Sequence, residues 1–433
     1  MNIAIAGYGI EGEENYRYFL AQGHTVTIVD ESTSPSKQIP AGAKTDLGPG
    51  AFDRLQGFDM VVRTAGLAPR KLLTDAKVWS ATNEFMKHCP SPVIGVTGTK
   101  GKGTTSSLIA SILSAAGRTV HLVGNIGVPA LQTLPHILPS DIVVYEMSSF
   151  QLWDLELSPY VSVVLPVEAD HLDVHADMDE YVKAKANIAT HQRESDVVIY
   201  HADNKISQTI SEQSRGDRIP YPSQQFVHVN DGWFYDGEKK ICKITALQLP
   251  GVHNQENACA AISAAGIFIE TGFSEAVQAG LERFTGLPHR LKLVREVNGV
   301  RYFDDSIATT PGSAIAAVKS FSDPIVLLLG GKDKGGDYSE LLELCGKKDV
   351  TVIIYGENRQ HLANMCEKYE VKYKPAEGTM KSVVSLESEV AREGSVVILS
   401  PAASSFDMFK NYAARGDAFV HEVTNLGGGT YVS

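Results

Sequence analysis

The chain has 433 residues, 43% of them hydrophobic and 21% charged, and a formal net charge of -12. That length exceeds one core and points to roughly two to four domains, while the acidic balance excludes a surface built for nucleic acid or an anionic membrane and leaves room for small anionic ligands. The five cysteines (Cys89, Cys242, Cys259, Cys345, Cys366) lack metal-ligand spacing and no apolar run suits a leader or a span, so a cytoplasmic protein with reduced thiols is expected.

Residues 2–7 predict a short buried strand, and Gly7-Tyr8-Gly9-Ile10-Glu11-Gly12 follows as a complete G-x-G-x-x-G ahead of a helix rich in aromatics. A second strand over 25–29 ends in Asp30, about twenty residues on, the spacing of a dinucleotide fingerprint. The same turn serves any pyrophosphate, so NAD and a nucleotide-sugar diphosphate both stay open. A third strand over 60–63 runs into Thr64-Ala65-Gly66-Leu67-Ala68-Pro69. Loops at such carboxyl ends are where open α/β sheets bind ligands. Pro90 and Pro92 bracket Ser91 and mark a domain boundary.

The next strand, over 93–96, delivers Thr97-Gly98-Thr99-Lys100-Gly101-Lys102-Gly103-Thr104-Thr105, and an apolar-periodic helix with Leu108, Ile109, Ile112 and Leu113 then stops at Gly117. This is a phosphate cradle: glycines turn backbone N–H groups onto an anion, the helix start adds positive potential, Lys102 carries a mobile charge, and a hydroxyl binds Mg²⁺. The usual loop has glycine where Val96 stands and Ser or Thr where Gly103 stands, so an ordinary glycine-rich turn is the alternative. Strands over 141–145 and 160–165 deliver Glu146-Met147-Ser148-Ser149-Phe150-Gln151 and Glu168-Ala169-Asp170-His171. If the three strands are parallel neighbours, a carboxylate, a hydroxyl and an imidazole surround the phosphates, a hard-ligand set for Mg²⁺. Taken singly, Glu146 also reads as a solvated strand end, His171 as an acidic surface turn, and Lys185, on a helix over 178–190, as a solvated lysine.

Further on come a strand over 197–200, a polar segment over 207–217 and a hairpin near 233–237. Gly251-Val252-His253-Asn254-Gln255-Glu256-Asn257 opens an alanine-rich helix, its amides suited either to a base or phosphate or to capping. A turn at Thr285-Gly286-Leu287-Pro288-His289-Arg290 marks a second boundary. Strands over 300–303, 325–329, 351–355 and 396–399 then alternate with helices and end in Asp304-Asp305-Ser306, Gly330-Gly331-Lys332-Asp333-Lys334 and Ser400-Pro401-Ala402-Ala403-Ser404-Ser405. The expected fold is α/β in three domains: a Rossmann-like unit at 1–90, a P-loop ATPase-like unit with a mostly parallel sheet at 91–286, and a second Rossmann-like unit at 287–433.

The ordered set of the Lys102 loop, Gly124-Asn125-Ile126-Gly127, Glu146 to Leu152, Asp170-His171-Leu172-Asp173, Gly251-Val252-His253-Asn254, Pro288-His289-Arg290 and Ser400-Pro401-Ala402 resembles the Mur ligases. These are the ATP-dependent amide-bond ligases of peptidoglycan precursor assembly in the cell wall. The similarity covers essentially the whole chain and is closest to the type that adds glutamate to UDP-N-acetylmuramoyl-L-alanine through an acyl phosphate.

The resemblance implies that Gly7, Gly9, Gly12, Asp30, Thr64 and Gly66 hold UDP, with Asn125, Ser148 and Gln151 on the muramoyl side. Gly98, Thr99, Lys100, Gly101, Lys102, Gly103, Thr104, Asn254, Asn257, Arg290 and Asp305 would bind ATP. Lys102, Glu146, His171 and Lys185 would be catalytic, with Thr104, Glu146, His171 and a carbamylated Lys185 holding two Mg²⁺ ions. Thr309, Lys334, Ser405 and Tyr412 fall at the positions that hold the incoming glutamate. A cytoplasmic monomer acting on small molecules, without nucleic acid or membrane, is expected. D-glutamate is the default. Ile307, where many such enzymes carry lysine, keeps an L-glutamate branch open, and Gly103 keeps a folylpolyglutamate synthase-like ligase open. Outside the family, the alternatives are an NAD-dependent oxidoreductase and a non-catalytic nucleotide sensor.

Overall fold

A computed structural model describes residues 1–125, 129–332, 335–387, 389–427 and 430–431. The described residues divide into two compact units, one of Met1–Leu247 with Gln255–Phe284 and one of Gln248–Asn254 with Thr285–Ser433.

The first unit begins with β1 (Asn2–Ala6), β2 (Thr25–Asp30), β3 (Lys44–Leu47), β4 (Met60–Arg63) and β5 (Lys77–Ser80). They form a parallel sheet in the order β3-β2-β1-β4-β5. Ile3, Ile5, Ile28 and Val62 are wholly buried, as expected of strands covered on both faces. The strand order reverses between β1 and β4, so the loops after them, with Gly7 and Thr64, stand at the switch point where such sheets open a crevice.

A second parallel sheet follows from β6 (Val93–Thr97), β7 (Val120–Gly124), β8 (Ile142–Glu146), β9 (Val161–Val164), β10 (Val197–His201) and β11 (Asp217–Tyr221). Its order is β11-β10-β9-β6-β8-β7, so β6 lies between β9 and β8 and the three loops expected to converge do leave neighbouring strands in one direction. A small antiparallel sheet of β12 (Val227–Asn230), β13 (Trp233–Asp236) and β14 (Lys239–Lys243) contains the expected hairpin.

In the second unit, β15 (Lys292–Val297), β16 (Val300–Asp304), β17 (Ile325–Gly330), β18 (Val350–Tyr355), β19 (Tyr373–Pro375), β20 (Val396–Leu399) and β21 (Thr430–Tyr431) form a mixed sheet. The order is β19-β18-β17-β20-β16-β15-β21, with β15 antiparallel to both neighbours and the remaining pairs parallel. Among the described residues no helix is long and apolar enough to cross a membrane.

The segment read as merely polar over 207–217 holds the end of helix Lys205–Ser211 and the start of β11. Its serines escaped a pattern based on apolar residues because Ser207, wholly buried, donates from Oγ to the Leu165 carbonyl (2.8 Å).

Helix Lys102–Ala115, which begins at the phosphate cradle, is pressed against helix Phe273–Arg283. A Cβ at Gly280 would sit 2.5 Å from the Ile112 Cα, and Ser111 Oγ donates to the Gly280 carbonyl at 2.7 Å. The obstacle is backbone and cannot rotate away. Gly280→Ala is therefore expected to destabilise the protein by about 1–3 kcal/mol, read as a lowered denaturant midpoint with an unchanged slope.

Candidate active site

The loop after β6 is set by glycines whose missing side chains are filled by neighbours. Gly98 has φ 153° and a Cβ there would lie 2.6 Å from Leu165 Cβ; Gly101 has φ 84° and its Cβ would collide with Asn257 Oδ1. Gly101 is the N-cap of the helix that starts at Lys102, so backbone N–H groups of the first turn are left for an anion. Lys102 bends back over the loop and donates from Nζ to the Gly98 (3.1 Å) and Thr99 (2.9 Å) carbonyls.

Lys185 reaches the same point from helix Met178–Thr190. It is 1% exposed, and its Nζ donates to the same Gly98 carbonyl (2.8 Å) and approaches Thr97 Oγ1 (3.5 Å). Burial, and then the charge of Lys102, push the Lys185 ammonium well below the usual lysine range, against a smaller opposing effect of Asp170. The amine is thus driven toward its neutral form.

The neighbouring loops are braced onto this one. Thr97 Oγ1 donates to the Met147 carbonyl (2.9 Å) and Met147 N–H to that of Val96 (2.9 Å), fixing the chain after β8. Thr99 Oγ1 accepts from Glu168 N–H (2.9 Å) and lies 3.1 Å from Tyr181 Oη, fixing the chain after β9. Glu146, the last residue of β8 and 5% exposed, accepts from Asn125 Nδ2 at Oε1 (3.1 Å). Ser148 and Gln151 form a reciprocal cap on the turn Ser149–Leu152: Ser148 Oγ accepts from Gln151 N–H, and Gln151 Oε1 accepts from Ser148 N–H (2.9 Å) and Oγ (3.1 Å).

His171 takes a left-handed φ of 55°, its side chain is about half exposed (49%), and its ring lies 5.0 Å from that of Phe150. Among the described residues no three His, Cys, Asp or Glu side chains stand close enough to hold a metal ion alone. The donors near the cradle are nevertheless oxygen-rich and suit a hard ion shared with phosphate. Gly103 lies in the first helical turn, Thr104 is buried there, and Lys100 stays exposed, 4.0 Å from Glu168.

The first sheet repeats the device. Gly7 has φ 90°, its Cβ space is occupied by Thr64 Oγ1, that of Gly12 by the Gly7 carbonyl, and Gly9 caps helix Ile10–Ala21. Asp30 accepts from the N–H groups of Tyr8 (2.7 Å) and Ser32 (2.8 Å), while Gly66 has open space around it. Asn257, against Gly101, also accepts from Thr105 Oγ1 (3.3 Å).

In the second unit, Asn254 donates from Nδ2 to the Pro250 carbonyl (2.6 Å). Asp305, after β16, accepts from Ser400 Oγ (2.8 Å) and Leu291 N–H (3.1 Å), with Arg290 near enough to lower its pKa. Ser405 is buried, Thr309 half-buried and Tyr412 more exposed, each at the carboxyl end of this sheet or the helix beyond it. Lys334 lies outside the described residues.

Sequence reasoning missed three groups. Arg415, wholly buried on helix Tyr412–Thr424, donates to Ser306 Oγ (3.0 Å), the Ser306 carbonyl (2.8 Å) and the Ala403 carbonyl (3.0 Å), so it staples two of these loops. His289, at φ 61°, lies 2.7 Å from Asp304 Oδ2, and that hydrogen bond raises its pKa. Arg63 is the third. An arginine in a helix or at a strand end reads as solvated unless its burial is known.

Burial pushes the Asp305 carboxyl up to about 7, against the lowering hydrogen bonds from Ser400 and Leu291. Because the folded pKa is the higher one, the stability that this proton supplies is complete below the unfolded value of about 3.9 and is lost as pH rises through about 7. Relative to Asp305→Asn, the wild-type protein should lose up to about 1.4 kcal/mol per pH unit across that window. Unfolding midpoints of both proteins from pH 4 to 8 check this, and a pH-independent difference would contradict it.

Two family models match the chain in order: the Mur ligase middle domain over residues 96–265 and the Mur ligase glutamate ligase domain over 289–403. A UDP-N-acetylmuramoylalanine–D-glutamate ligase of Ruminiclostridium cellulolyticum is 34% identical over 98% of this chain and 96% of its own. The protein of the same name from Acetivibrio thermocellus is 35% identical with the same coverage. Among solved structures, the UDP-N-acetylmuramate–alanine ligase MurC of Thermotoga maritima covers 98% of this chain and 99% of its own with a TM-score of 0.60 at 17% identity. The MurF ligase of that organism, in complex with ADP, covers 98% and 95% with a TM-score of 0.59 at 17% identity. With relatives above 30% identity along nearly its whole length and both family domains in their order, the chain belongs to the Mur ligase family of ATP-dependent ligases.

Proposed function

We propose that the chain joins D-glutamate to UDP-N-acetylmuramoyl-L-alanine, using ATP, in peptidoglycan precursor synthesis, and that it works as a monomer. The observation that carries the reading is the Gly98 carbonyl held between Lys102 and Lys185, one strand away from the Glu146 carboxylate. The identity with ligases named for D-glutamate supports the choice of amino acid. In this reading residues 1–90 bind the UDP-linked substrate, 91–286 bind ATP and 287–433 bind glutamate.

A carboxylate and an amine do not condense in water unaided. The γ-phosphoryl group of ATP passes to an oxygen of the alanyl carboxylate, giving an acyl phosphate and ADP; the glutamate amine attacks the carbonyl carbon, phosphate leaves with the C–O electron pair, and the nitrogen gives up its proton. Lys102 swings from its loop carbonyls onto the phosphates and offsets the charge of the transferred group. The N–H groups of the first helical turn, with Gly98, Thr99, Lys100, Gly101 and Gly103, orient the phosphates, and Asn254, Asn257, Arg290 and Asp305 hold the rest of the nucleotide. Gly7, Gly9, Gly12, Asp30, Thr64 and Gly66 hold the UDP end, while Asn125, Ser148 and Gln151 hold the muramoyl side. Thr309, Lys334, Ser405 and Tyr412 orient the amino acid.

Magnesium, when bound, supplies positive charge to the phosphoryl group in flight, and Thr104, Glu146, His171 and a modified Lys185 would hold two ions. The structure fits that modification. A neutral, buried amine adds to CO₂ to give a carbamate and a proton, and the resulting anion answers the positive charge of Lys102.

Phosphate release with ATP, Mg²⁺ and UDP-N-acetylmuramoyl-L-alanine is expected with D-glutamate and not with L-glutamate. The reverse preference would place the chain in the L-glutamate branch that Ile307 leaves open. Lys102→Ala and Lys185→Ala are each expected to lower kcat/KM by about 10²–10³-fold. A short carboxylic acid should partly restore Lys185→Ala alone, and unchanged turnover of that variant would refute the bridging role.

A further inference from the structure

Arg63 ends β4 and is 0% exposed. Its guanidinium grips Asp154 through both carboxylate oxygens, Nε to Oδ2 at 2.7 Å and Nη2 to Oδ1 at 2.6 Å. Nη2 also donates to the Phe150 carbonyl (2.8 Å), and Nη1 to the carbonyls of Thr64 (3.3 Å), Ala65 (3.2 Å) and Leu67 (3.3 Å). One planar group thus joins the loop leaving the first sheet to the loop that leaves the second sheet after Glu146. Each loop has its own further anchor: Glu11 accepts from Ala65 N–H at 2.9 Å, and Asn83 pairs with the Asp154 carbonyl and Glu156 N–H, both at 2.8 Å.

As cement alone this would be a poor device, since a buried ion pair is often no more stabilising than apolar residues of the same size. A fork of fixed geometry does set a distance, and a lysine cannot reproduce it. Phe150 lies within the turn capped by Ser148 and Gln151 and Asp154 follows that turn, so a shift of either would move the Glu146 loop against the Thr64 loop.

We propose that Arg63 is a positioning residue that fixes the distance between the loop holding the UDP-linked substrate and the loop carrying Glu146, so that the acceptor carboxylate is presented to the phosphates in register. This rests on the function proposed above. The residue touches neither substrate nor ATP; it acts through carbonyls and through Asp154. The exposed pair Lys77–Glu156 (3.0 Å) joins the same two regions at the solvent surface, away from the buried Arg63 guanidinium, and serves as a control.

The test is steady-state kinetics of the whole protein with each substrate varied in turn, alongside thermal unfolding, for Arg63→Lys, Asp154→Asn and Lys77→Ala. Arg63→Lys should raise KM for UDP-N-acetylmuramoyl-L-alanine by about tenfold and lower kcat, while KM for ATP changes less than about twofold. Asp154→Asn, which keeps the shape, should move the same constants in the same direction and carries the test if Arg63→Lys does not fold. Lys77→Ala should match wild type. Folded variants with wild-type KM for the UDP-linked substrate, or with both KM values raised together, would overturn the positioning role while leaving the ligase reading intact. Wild-type protein that forms no amide would overturn both.

Discussion

Two lysine side chains share the carbonyl of Gly98, and one of them, Lys185, is out of water. Like charges brought together under burial repel, and the price is met either by loss of a proton or by arrival of an anion. The cradle's backbone donors, its helix start and Lys102 favour an anionic partner, while Lys185 meets the repulsion by moving toward its neutral form. The loops after β8 and β9 are tied to that point by Thr97 and Thr99, so the demand is set in a rigid frame before any ligand enters.

The tying follows one rule in both parallel sheets of the first unit. A glycine leaves a gap, and an atom from elsewhere in the chain fills it: Thr64 against Gly7, the Gly7 carbonyl against Gly12, Leu165 against Gly98, Asn257 against Gly101. The conformations are held from outside as well as permitted from within. Asn257 links the glycine loop to helix Val252–Gly266, which explains how an amide far along the chain comes to stand beside the cradle.

The central strands and their glycine loops were legible because a strand covered on both faces must be apolar nearly throughout, as Val93, Ile94 and Val96 or Val161, Val163 and Val164 are. Most strands that escaped, β3, β5, β7, β11, β12, β19 and β21, lie at sheet edges, where one side meets solvent and the pattern fades, and Pro220 even sits within β11, tolerable only at an edge; the inner strand β15 escaped because Lys292, Arg295 and Glu296 interrupt its apolar run. Candidate site residues could be proposed from the sequence where a motif fixed their spacing, as for Lys102 and Glu146. Arg63 and Arg415 were not, because a long charged side chain gives no local sign that five donors will find partners from distant loops. Glu146 was placed just beyond its strand and in fact ends it, since its pairing with Val96 continues the ladder by one residue.

The reciprocal cap between Ser148 and Gln151 reaches into recognition. Ser148 occupies both lone pairs of the Gln151 side-chain oxygen, once from its amide and once from its hydroxyl. Rotating the Gln151 amide by half a turn would set its NH₂ group against the Ser148 N–H, which can only donate, so the orientation with the oxygen toward Ser148 is favoured. In the function proposed above, where Gln151 stands on the muramoyl side, the group it would offer is its NH₂, since Ser148 takes its oxygen. On that proposal a substrate oxygen able to accept would be favoured beside Gln151 by the same two contacts that cap the helix.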